Sequence, residues 1–182
     1  PDVEVYSIDE AFLAFPTEPG RPDPLARARL EGLARTIHDR VYQWTGVPVR
    51  VGLAPTKTLA KIGVEWAKRR AKAGAVPAVC LGTGPDLDAV LAHVPVRDVW
   101  GIGRRGASRL EKKGIRTALD LRDLDDGWVR KHLHVVGLRL VYELRGVSCL
   151  PVVKDGALVG IVTEADFIEV AGTLLEEKLR EH

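Results

Sequence analysis

The chain has 182 residues, of which 46% are apolar and 29% charged, which excludes a disordered chain and allows one packed domain or two small ones. Its net charge of +2 is unevenly spread, because residues 50–74 hold seven basic residues and one acidic residue, and residues 97–145 hold twelve basic and seven acidic. These two segments are candidate nucleic-acid surfaces, although solvated helix faces would have the same composition.

The two cysteines and the hydropathy of the sequence argue against zinc-binding, disulfide-rich and membrane-spanning proteins. Cys80 and Cys149 lack the CxxC or CxxH spacing of a zinc site and the pattern of a disulfide scaffold, which favours a reducing cytoplasm. The sequence has no run of about 18 apolar residues and opens with no signal-peptide pattern. We therefore expect a soluble intracellular protein without membrane contact. Since the chain starts at Pro1 and contains no methionine, we also expect an internal fragment.

The first part of the chain predicts alternating strands and helices. Residues 3–8 and 11–15 are typical of two strands, with Asp9 and Glu10 at their junction. After a loop rich in Pro and Gly, Asp23 can cap a helix that begins with Pro24 and ends at Gly46. The apolar residues at helical spacing in this segment are Leu30, Leu33, Ala34, Ile37, Val41 and Trp44.

The pattern then continues through a strand and a helix. Residues 47–53 alternate as a strand, and a helix starts near Thr56 with Leu59, Ile62 and Trp66 on its apolar side. After a short strand around Cys80, residues 86–145 indicate short helices with Gly breaks, including one helix over about 127–145. The stretch VVKDGALVGIV, residues 152–162, predicts a β-hairpin around an Asp-Gly turn, and a last helix follows from about Glu164.

Two neighbouring acids, Asp9 and Glu10, follow the first strand. Neighbouring side chains of a regular strand point to opposite faces, so adjacent acids converge only where a strand ends or bends. Convergent carboxylates repel each other unless a cation neutralises them. Mg²⁺ takes oxygen ligands, including one or two protein carboxylates, and serves phosphoryl and nucleotidyl transfer. The alternative is a solvated turn with both acids in water.

The stretch VYSIDEAFLAF, residues 5–15, resembles the second catalytic motif of the Y-family translesion DNA polymerases, and specifically of their UmuC-like branch. In that family the Ser-Ile-Asp-Glu stretch supplies palm carboxylates that ligate the catalytic metals. The resemblance implies that Asp9 is a metal ligand and that Glu10 is the catalytic acid beside it.

The stretch VGLAPTKTLAKIG, residues 51–63, places Lys57 in the first turn of a helix, where free N–H groups and the helix dipole favour an anion. A plain surface lysine on an amphipathic helix is the alternative. The stretch is similar to the Y-family segment after the palm strand, which implies that Lys57 and, less directly, Lys61 bind the triphosphate of the incoming nucleotide. Gly63 departs from the alanine common in the family and should weaken the helix slightly.

Residues 99–121, VWGIGRRGASRLEKKGIRTALDL, are typical of a helix-hairpin-helix, the alternative being a plain turn between helices. Gly101 and Gly103 allow a tight turn whose N–H groups, with the next helix N-terminus, can hold a DNA phosphate. Arg104 and Arg105 add positive charge there. We expect Ala107, Leu110, Ile115 and Leu119 to pack the two helices together. The Y-family thumb carries such a motif at this distance from the acid pair.

Residues 150–182 resemble a different family, the second half of a CBS domain. In complete CBS domains a Thr and an Asp at the spacing of Thr163 and Asp166 often hold the ribose and phosphate of an adenine nucleotide. Half a module cannot bury its own sheet face, so we expect no nucleotide sensor unless a partner completes it. We hypothesise that the chain is a splice of two unrelated genes, natural or produced by an assembly artefact.

The Y-family resemblance covers residues 2 to about 150, and the order of the predicted strands and helices indicates an α/β (α+β) fold. We expect the chain to divide into a partial palm at 1–85, a helical thumb with the helix-hairpin-helix at 86–149, and the CBS-like β-hairpin and helix at 150–182. For the complete protein it implies Mg²⁺-dependent DNA polymerase activity in translesion synthesis and DNA repair, with a DNA primer-template and a dNTP as substrates. An SOS accessory subunit and a sliding clamp are the implied partners.

The family's first metal-binding Asp lies upstream of the acid-pair motif, and this chain does not contain it. We therefore expect no primer extension by the chain alone. Two rival functions stay open. One is a non-catalytic DNA-binding module that uses the helix-hairpin-helix, and the other is a CBS-type regulatory protein that binds an adenine nucleotide.

Overall fold

The structure is a computed structural model, and it describes residues 2–15, 26–82, 84–147, 150–154 and 157–162. Its strands are β1 (Asp2–Ser7), β2 (Glu10–Ala14), β3 (Val51–Leu53), β4 (Ala78–Cys80), β5 (Leu150–Lys154) and β6 (Ala157–Val162). Its helices are α1 (Ala26–Thr45), α2 (Lys57–Ala71), α3 (Pro85–Ala92), α4 (Arg104–Lys112), α5 (Ala118–Arg122) and α6 (Asp126–Leu144). This order confirms the predicted α/β (α+β) class.

Some predicted features lie outside the described residues. They are the helix start at Asp23 and Pro24, the Asp155–Gly156 turn, the helix from Glu164, and the candidate nucleotide ligands Thr163 and Asp166. The two strands on either side of the turn are described, and β5 pairs antiparallel with β6 as the sequence predicted.

The chain divides into two compact units, and the first comprises Pro1–Leu53 and Gly63–Cys80. In it, β1 and β2 form an antiparallel hairpin in which Ser7 lies opposite Glu10, so Ile8 and Asp9 form the loop. The ladder is irregular between Val5 and Ser7. The side chains of Val5 and Ile8 are exposed, at 77% and 104%.

The first unit also contains a short parallel pair, β3 and β4, against which α1 packs. The strand predicted over residues 47–53 is therefore too long. Its described partner has three residues, and Pro48 has no N–H to give to a ladder. Because so short a pair covers only part of α1, Ala34 is fully buried whereas Trp44 is 71% exposed. The predicted apolar face of α1 is thus buried only in part.

The second unit comprises Ala54–Ile62 and Leu81–His182. An antiparallel bridge between Pro95 and Thr117 ties the 3₁₀ turn Val96–Asp98 to the start of α5. Thr117 caps α5 by accepting from the Asp120 N–H, and the Thr117 N–H donates in return to Asp120 Oδ2. Backbone hydrogen bonds, the largest from Arg116, lower the pKa of Asp120. The largest fully buried side chains here are Leu59, Leu91, Leu110, Leu121, Leu144, Val94, Val96, Val99, Val129 and Val141.

Arg145 closes the end of α6 against the preceding segment. Its guanidinium donates to Asp126 Oδ1 at 2.7 Å, to the Leu124 carbonyl at 2.7 Å and to the Arg122 carbonyl at 3.0 Å. The Tyr142 hydroxyl donates to Asp126 Oδ2 at 2.5 Å. These bonds, that of Tyr142 foremost, lower the pKa of Asp126, and the same contact raises the pKa of Tyr142.

Helix α6 has the predicted bounds but is interrupted at His134, whose φ of 59° and ψ of −162° are not helical. At Gly137 the backbone approaches Leu133 so closely that a Cβ would overlap the leucine side chain. The predicted helix over 127–145 is thus two helical pieces. Across the described residues, every helix is too short or too polar to span a bilayer.

Candidate functional site

The acid pair lies at the tip of the β1–β2 hairpin, at a strand junction as the sequence predicted. Asp9 is in the loop, and its Oδ1 accepts a hydrogen bond from the Ser7 hydroxyl at 2.7 Å. Glu10 is the first residue of β2. Both acids are exposed. The hairpin therefore presents two neighbouring carboxylates at one end of the sheet.

The donor set at this tip suits only some metal ions. Within the described ranges, no three or more His, Cys, Asp and Glu side chains gather where they could hold an ion. Two exposed carboxylates fit Mg²⁺, which takes one or two protein carboxylates and completes its shell with water and phosphate. They do not fit a structural zinc site, which needs four protein ligands.

The candidate phosphate-binding lysines lie one helical turn apart, since Lys57 opens α2 and Lys61 follows four residues later. Contrary to what the sequence alone suggested, the backbone N–H groups at this helix end are not all free to bind an anion. The Thr56 hydroxyl accepts from the Leu59 N–H at 3.3 Å, and Glu143 Oε2 accepts from the Thr58 N–H at 3.0 Å. Two of the first backbone donors of α2 therefore already have partners inside the protein.

Lys61 also has a partner in the second unit, because its Nζ lies 5.7 Å from the centre of the Trp100 ring, a cation–π distance. Asp9 and Glu10 belong to the first unit, whereas Lys57 and Lys61 belong to the second together with the hairpin that follows Trp100. The structure thus groups the two lysines with the hairpin and the two acids with the β1–β2 sheet.

The hairpin before α4 has the geometry of an anion site. Gly101 has a φ of 92°, a conformation that favours glycine, and Gly103 is the extended N-cap of α4. As a glycine, Gly103 has no side chain that could cap α4, and the first turn of α4 carries no acid. Arg104 and Arg105 are both exposed in that turn. The N-terminus of α4 therefore combines backbone donors, the positive end of the helix dipole and two guanidinium groups.

The packing behind this hairpin agrees largely with the sequence. Ala107, Leu110 and Ile115 are buried as predicted. Leu119 is only half-buried, and the fully buried residues of α5 are Ala118 and Leu121.

Sequence reasoning missed Glu143 and Trp100 as partners of α2. Both contact α2 only through the tertiary fold, and Glu143 lies 85 residues from Thr58. Thr56 had a local signal, since a Thr directly before a helix is a typical N-cap.

Comparisons with known proteins match most of the chain. A family model described as the impB/mucB/samB family matches residues 1–65, one described as the IMS family HHH motif matches residues 85–115, and a CBS domain model matches residues 138–172. The HHH match starts earlier than the predicted stretch 99–121 and ends before α5. The match overlaps the predicted stretch over residues 99–115, which include the Gly101–Gly103 turn and α4.

Curated relatives extend the similarity beyond these models. Protein UmuC of Salmonella typhimurium is 42% identical over 152 residues, which are 82% of this chain and 34% of that protein. DNA polymerase IV of Pseudomonas paraeruginosa is 30% identical over 165 residues, 91% of this chain and 44% of that protein. The chain thus spans about a third of the length of the first of these relatives.

A solved structure also resembles the fold. The crystal structure of DinB from Sulfolobus solfataricus matches with a TM-score of 0.51 and 25% identity, over 79% of this chain and 39% of that chain. Together the matches confirm both resemblances that the motifs indicated.

Proposed function

We propose that the chain is the palm and thumb portion of a DNA-directed DNA polymerase for translesion synthesis, because residues 1–65 match the model of the impB/mucB/samB family and residues 85–115 match the model of the IMS family HHH motif. The relatives named UmuC and DNA polymerase IV support this proposal, as does the likeness to DinB. The complete protein would use a DNA primer-template and a dNTP in the cytoplasm, with an SOS accessory subunit and a sliding clamp as partners.

The observation that carries the proposal is the uncapped N-terminus of α4 beside the Gly101–Gly103 turn. Backbone N–H groups and two exposed arginines at one point bind a phosphate whatever the base sequence. A polymerase must move along DNA of any sequence, so a thumb contact that reads only the backbone suits that task. Gly101, Gly103, Arg104 and Arg105 are the proposed DNA-binding residues.

Asp9 and Glu10 are the proposed metal-binding and catalytic acids of the complete enzyme. They would hold Mg²⁺, which when bound neutralises charge on the phosphates of the nucleotide. Both residues are exposed at a hairpin tip, where an ion and a substrate can approach them from solvent. Lys57 and Lys61 would contribute positive charge for the triphosphate.

The DNA contact is tested by fluorescence anisotropy with a labelled primer-template over a series of salt concentrations. Each lost phosphate contact lowers the slope of log K against log salt by about 0.9. We expect the double change Arg104→Ala and Arg105→Ala to lower the slope by about 1 to 2. The matched control is the double change Arg130→Ala and Lys131→Ala, which removes the same charge from exposed positions of the same unit. Equal slope losses in both double variants would refute a specific role for the hairpin.

The chain by itself is expected to show no primer extension, because the family's first metal-binding Asp is not part of it. Extension of a primer by the purified 182-residue chain would contradict this expectation.

The match of the CBS domain model to residues 138–172 favours a second candidate function, binding of an adenine nucleotide through Thr163 and Asp166. Titration of the chain with AMP and with ATP tests it. Binding that is lost in Asp166→Ala would support this function, and an absence of binding to both nucleotides would reject it.

A further inference from the structure

Glu143 of α6 makes a cluster of contacts with the first turn of α2 that the polymerase motifs do not explain. Its Oε2 accepts hydrogen bonds from the Thr58 hydroxyl at 2.6 Å and from the Thr58 N–H at 3.0 Å. Its backbone carbonyl accepts from the Thr56 hydroxyl at 2.9 Å. Its Oε1 lies 3.3 Å from Arg139 Nε. Glu143 of α6 thus holds Thr58 in the first turn of α2 by its side chain, and Thr56 directly before α2 by its backbone carbonyl.

These contacts are sheltered from water. Thr56 is 6% exposed and Thr58 is 1% exposed, and the Glu143 side chain is 14% exposed. Thr56 also caps α2, because its hydroxyl accepts from the Leu59 N–H while its carbonyl accepts from the Ala60 N–H. Hydrogen bonds with a carboxylate are among the stronger ones, and they gain further when water is excluded.

Lys57 stands between the two residues that Glu143 holds. The backbone positions of Thr56 and Thr58 determine where the Lys57 backbone lies, and both are fixed relative to α6. The contact between Lys61 and Trp100 adds a second tie between α2 and the segment that leads into the Gly101 turn. The start of α2 is therefore held in the same unit as the proposed DNA-binding hairpin.

We propose that Glu143 is a positioning residue for nucleotide binding, which holds the first turn of α2 so that Lys57 is placed to meet the phosphates of the nucleotide. The inference rests on the proposed phosphate-binding role of Lys57. Glu143 does not touch the ligand itself. It acts through Thr56 and Thr58, and its own charge is shared with Arg139. Loss of Glu143 would free the turn and leave the buried Thr58 hydroxyl without its acceptor.

The test is an NMR titration of the ¹⁵N-labelled chain with inorganic triphosphate, with the affinity taken from the shifts of the α2 amides. We expect Glu143→Ala to weaken triphosphate binding about tenfold, because it removes hydrogen bonds to a charged acceptor. Glu143→Gln keeps an acceptor oxygen of the same reach, so binding should stay within about threefold of the unchanged chain. Thr58→Val, which retains the N–H and the side-chain shape, should weaken binding about threefold to tenfold.

Two controls separate positioning from a general loss of structure or charge. Glu65→Ala removes one half-exposed acid from the same helix and should leave triphosphate binding unchanged. Anisotropy with primer-template DNA on the same samples should give an unchanged affinity in Glu143→Ala. If affinity for DNA and for triphosphate falls together, Glu143 only maintains the fold, and the proposal is overturned.

The remaining outcomes distinguish this inference from the proposed function. Lys57→Ala should abolish triphosphate binding. If Lys57→Ala weakens binding and Glu143→Ala does not, the positioning role alone is wrong. If Lys57→Ala binds as the unchanged chain does, or no triphosphate binds at all, the phosphate role of Lys57 fails and the inference with it. Tighter binding in Glu143→Gln would show a carboxylate that competes with the ligand and would also overturn positioning.

Discussion

Replacing Gly101 by alanine isolates the turn that the DNA-binding proposal needs. Gly101 has a φ of 92°, a backbone conformation that residues with a Cβ rarely adopt. An added Cβ would meet Leu140 Cδ2 at 4.0 Å, an ordinary contact, so the cost is conformational rather than steric. Strain of this kind destabilises the fold by about 1 to 2 kcal/mol. The turn can relieve the strain only by shifting, which would move its N–H groups away from a bound phosphate.

Gly114 provides a matched control because it has a φ of 85° and lies in the same unit. Apart from its two chain neighbours, none of the described residues has a heavy atom within 4 Å of a Cβ added there. Gly114→Ala should therefore lose a similar free energy of unfolding, measured by urea titration with tryptophan fluorescence. The two variants should differ in DNA binding measured by anisotropy. Loss of one hydrogen bond to a charged phosphate predicts about a tenfold weaker affinity for Gly101→Ala.

Two outcomes would refute this reasoning. If Gly101→Ala is destabilised and binds DNA with unchanged affinity, the turn does not hold the phosphate. If both glycine variants lose DNA affinity equally, the effect comes from stability, and no special role remains for Gly101.

Three further predictions concern stability and reactivity. Arg145→Lys keeps the charge but cannot reproduce the three hydrogen bonds of the guanidinium, so the free energy of unfolding measured with urea should fall by about 2 kcal/mol. A fall of less than about 0.5 kcal/mol would show that these hydrogen bonds do not stabilise the end of α6. Asp126→Asn should cost about 1 kcal/mol at pH 7, since the group is partly exposed. Because folding lowers the pKa of Asp126, its contribution to the free energy of unfolding is present above the unfolded pKa of about 3.9 and is lost as pH falls through the folded pKa. The free energies of unfolding of the unchanged chain and of Asp126→Asn should therefore converge at low pH. A difference between them that stays constant with pH would contradict this prediction. Burial and, secondarily, Glu31 raise the pKa of the Cys80 thiol. A thiol reagent at pH 8 should therefore label Cys80 at least about tenfold faster in the unfolded chain than in the folded chain. Equal labelling rates would show that the thiol is accessible in the folded chain.

The sequence was sufficient where the decisive interactions are local. The strand junction at Asp9, the stop of α1 at Gly46 and the turn at Gly101 follow from the backbone preferences of a few adjacent residues. The fold class followed from the order of these elements.

Features that depend on distant partners were not predictable in the same way. The strand over residues 47–53 is shorter than predicted partly because β4 has only three residues, and the length of a pairing partner has no local signal. Pro48 was the one local indication, since it has no N–H for a ladder. The link between Glu143 and Thr58 joins residues 85 positions apart. The break in α6 at His134 occurs within a segment whose sequence predicts one helix. Gly137, which approaches Leu133 closely, is the nearby residue with low helix propensity.

The proposed binding of a divalent cation by Asp9 and Glu10 is tested most directly with Mn²⁺ in place of Mg²⁺. Paramagnetic broadening of amide signals should concentrate on residues 7–11 in the unchanged chain and disappear in Asp9→Asn. The same broadening should persist in Asp39→Asn, which alters an exposed acid of α1 in the same unit. Broadening spread evenly over exposed acids, or retained in Asp9→Asn, would contradict a metal site at the hairpin tip.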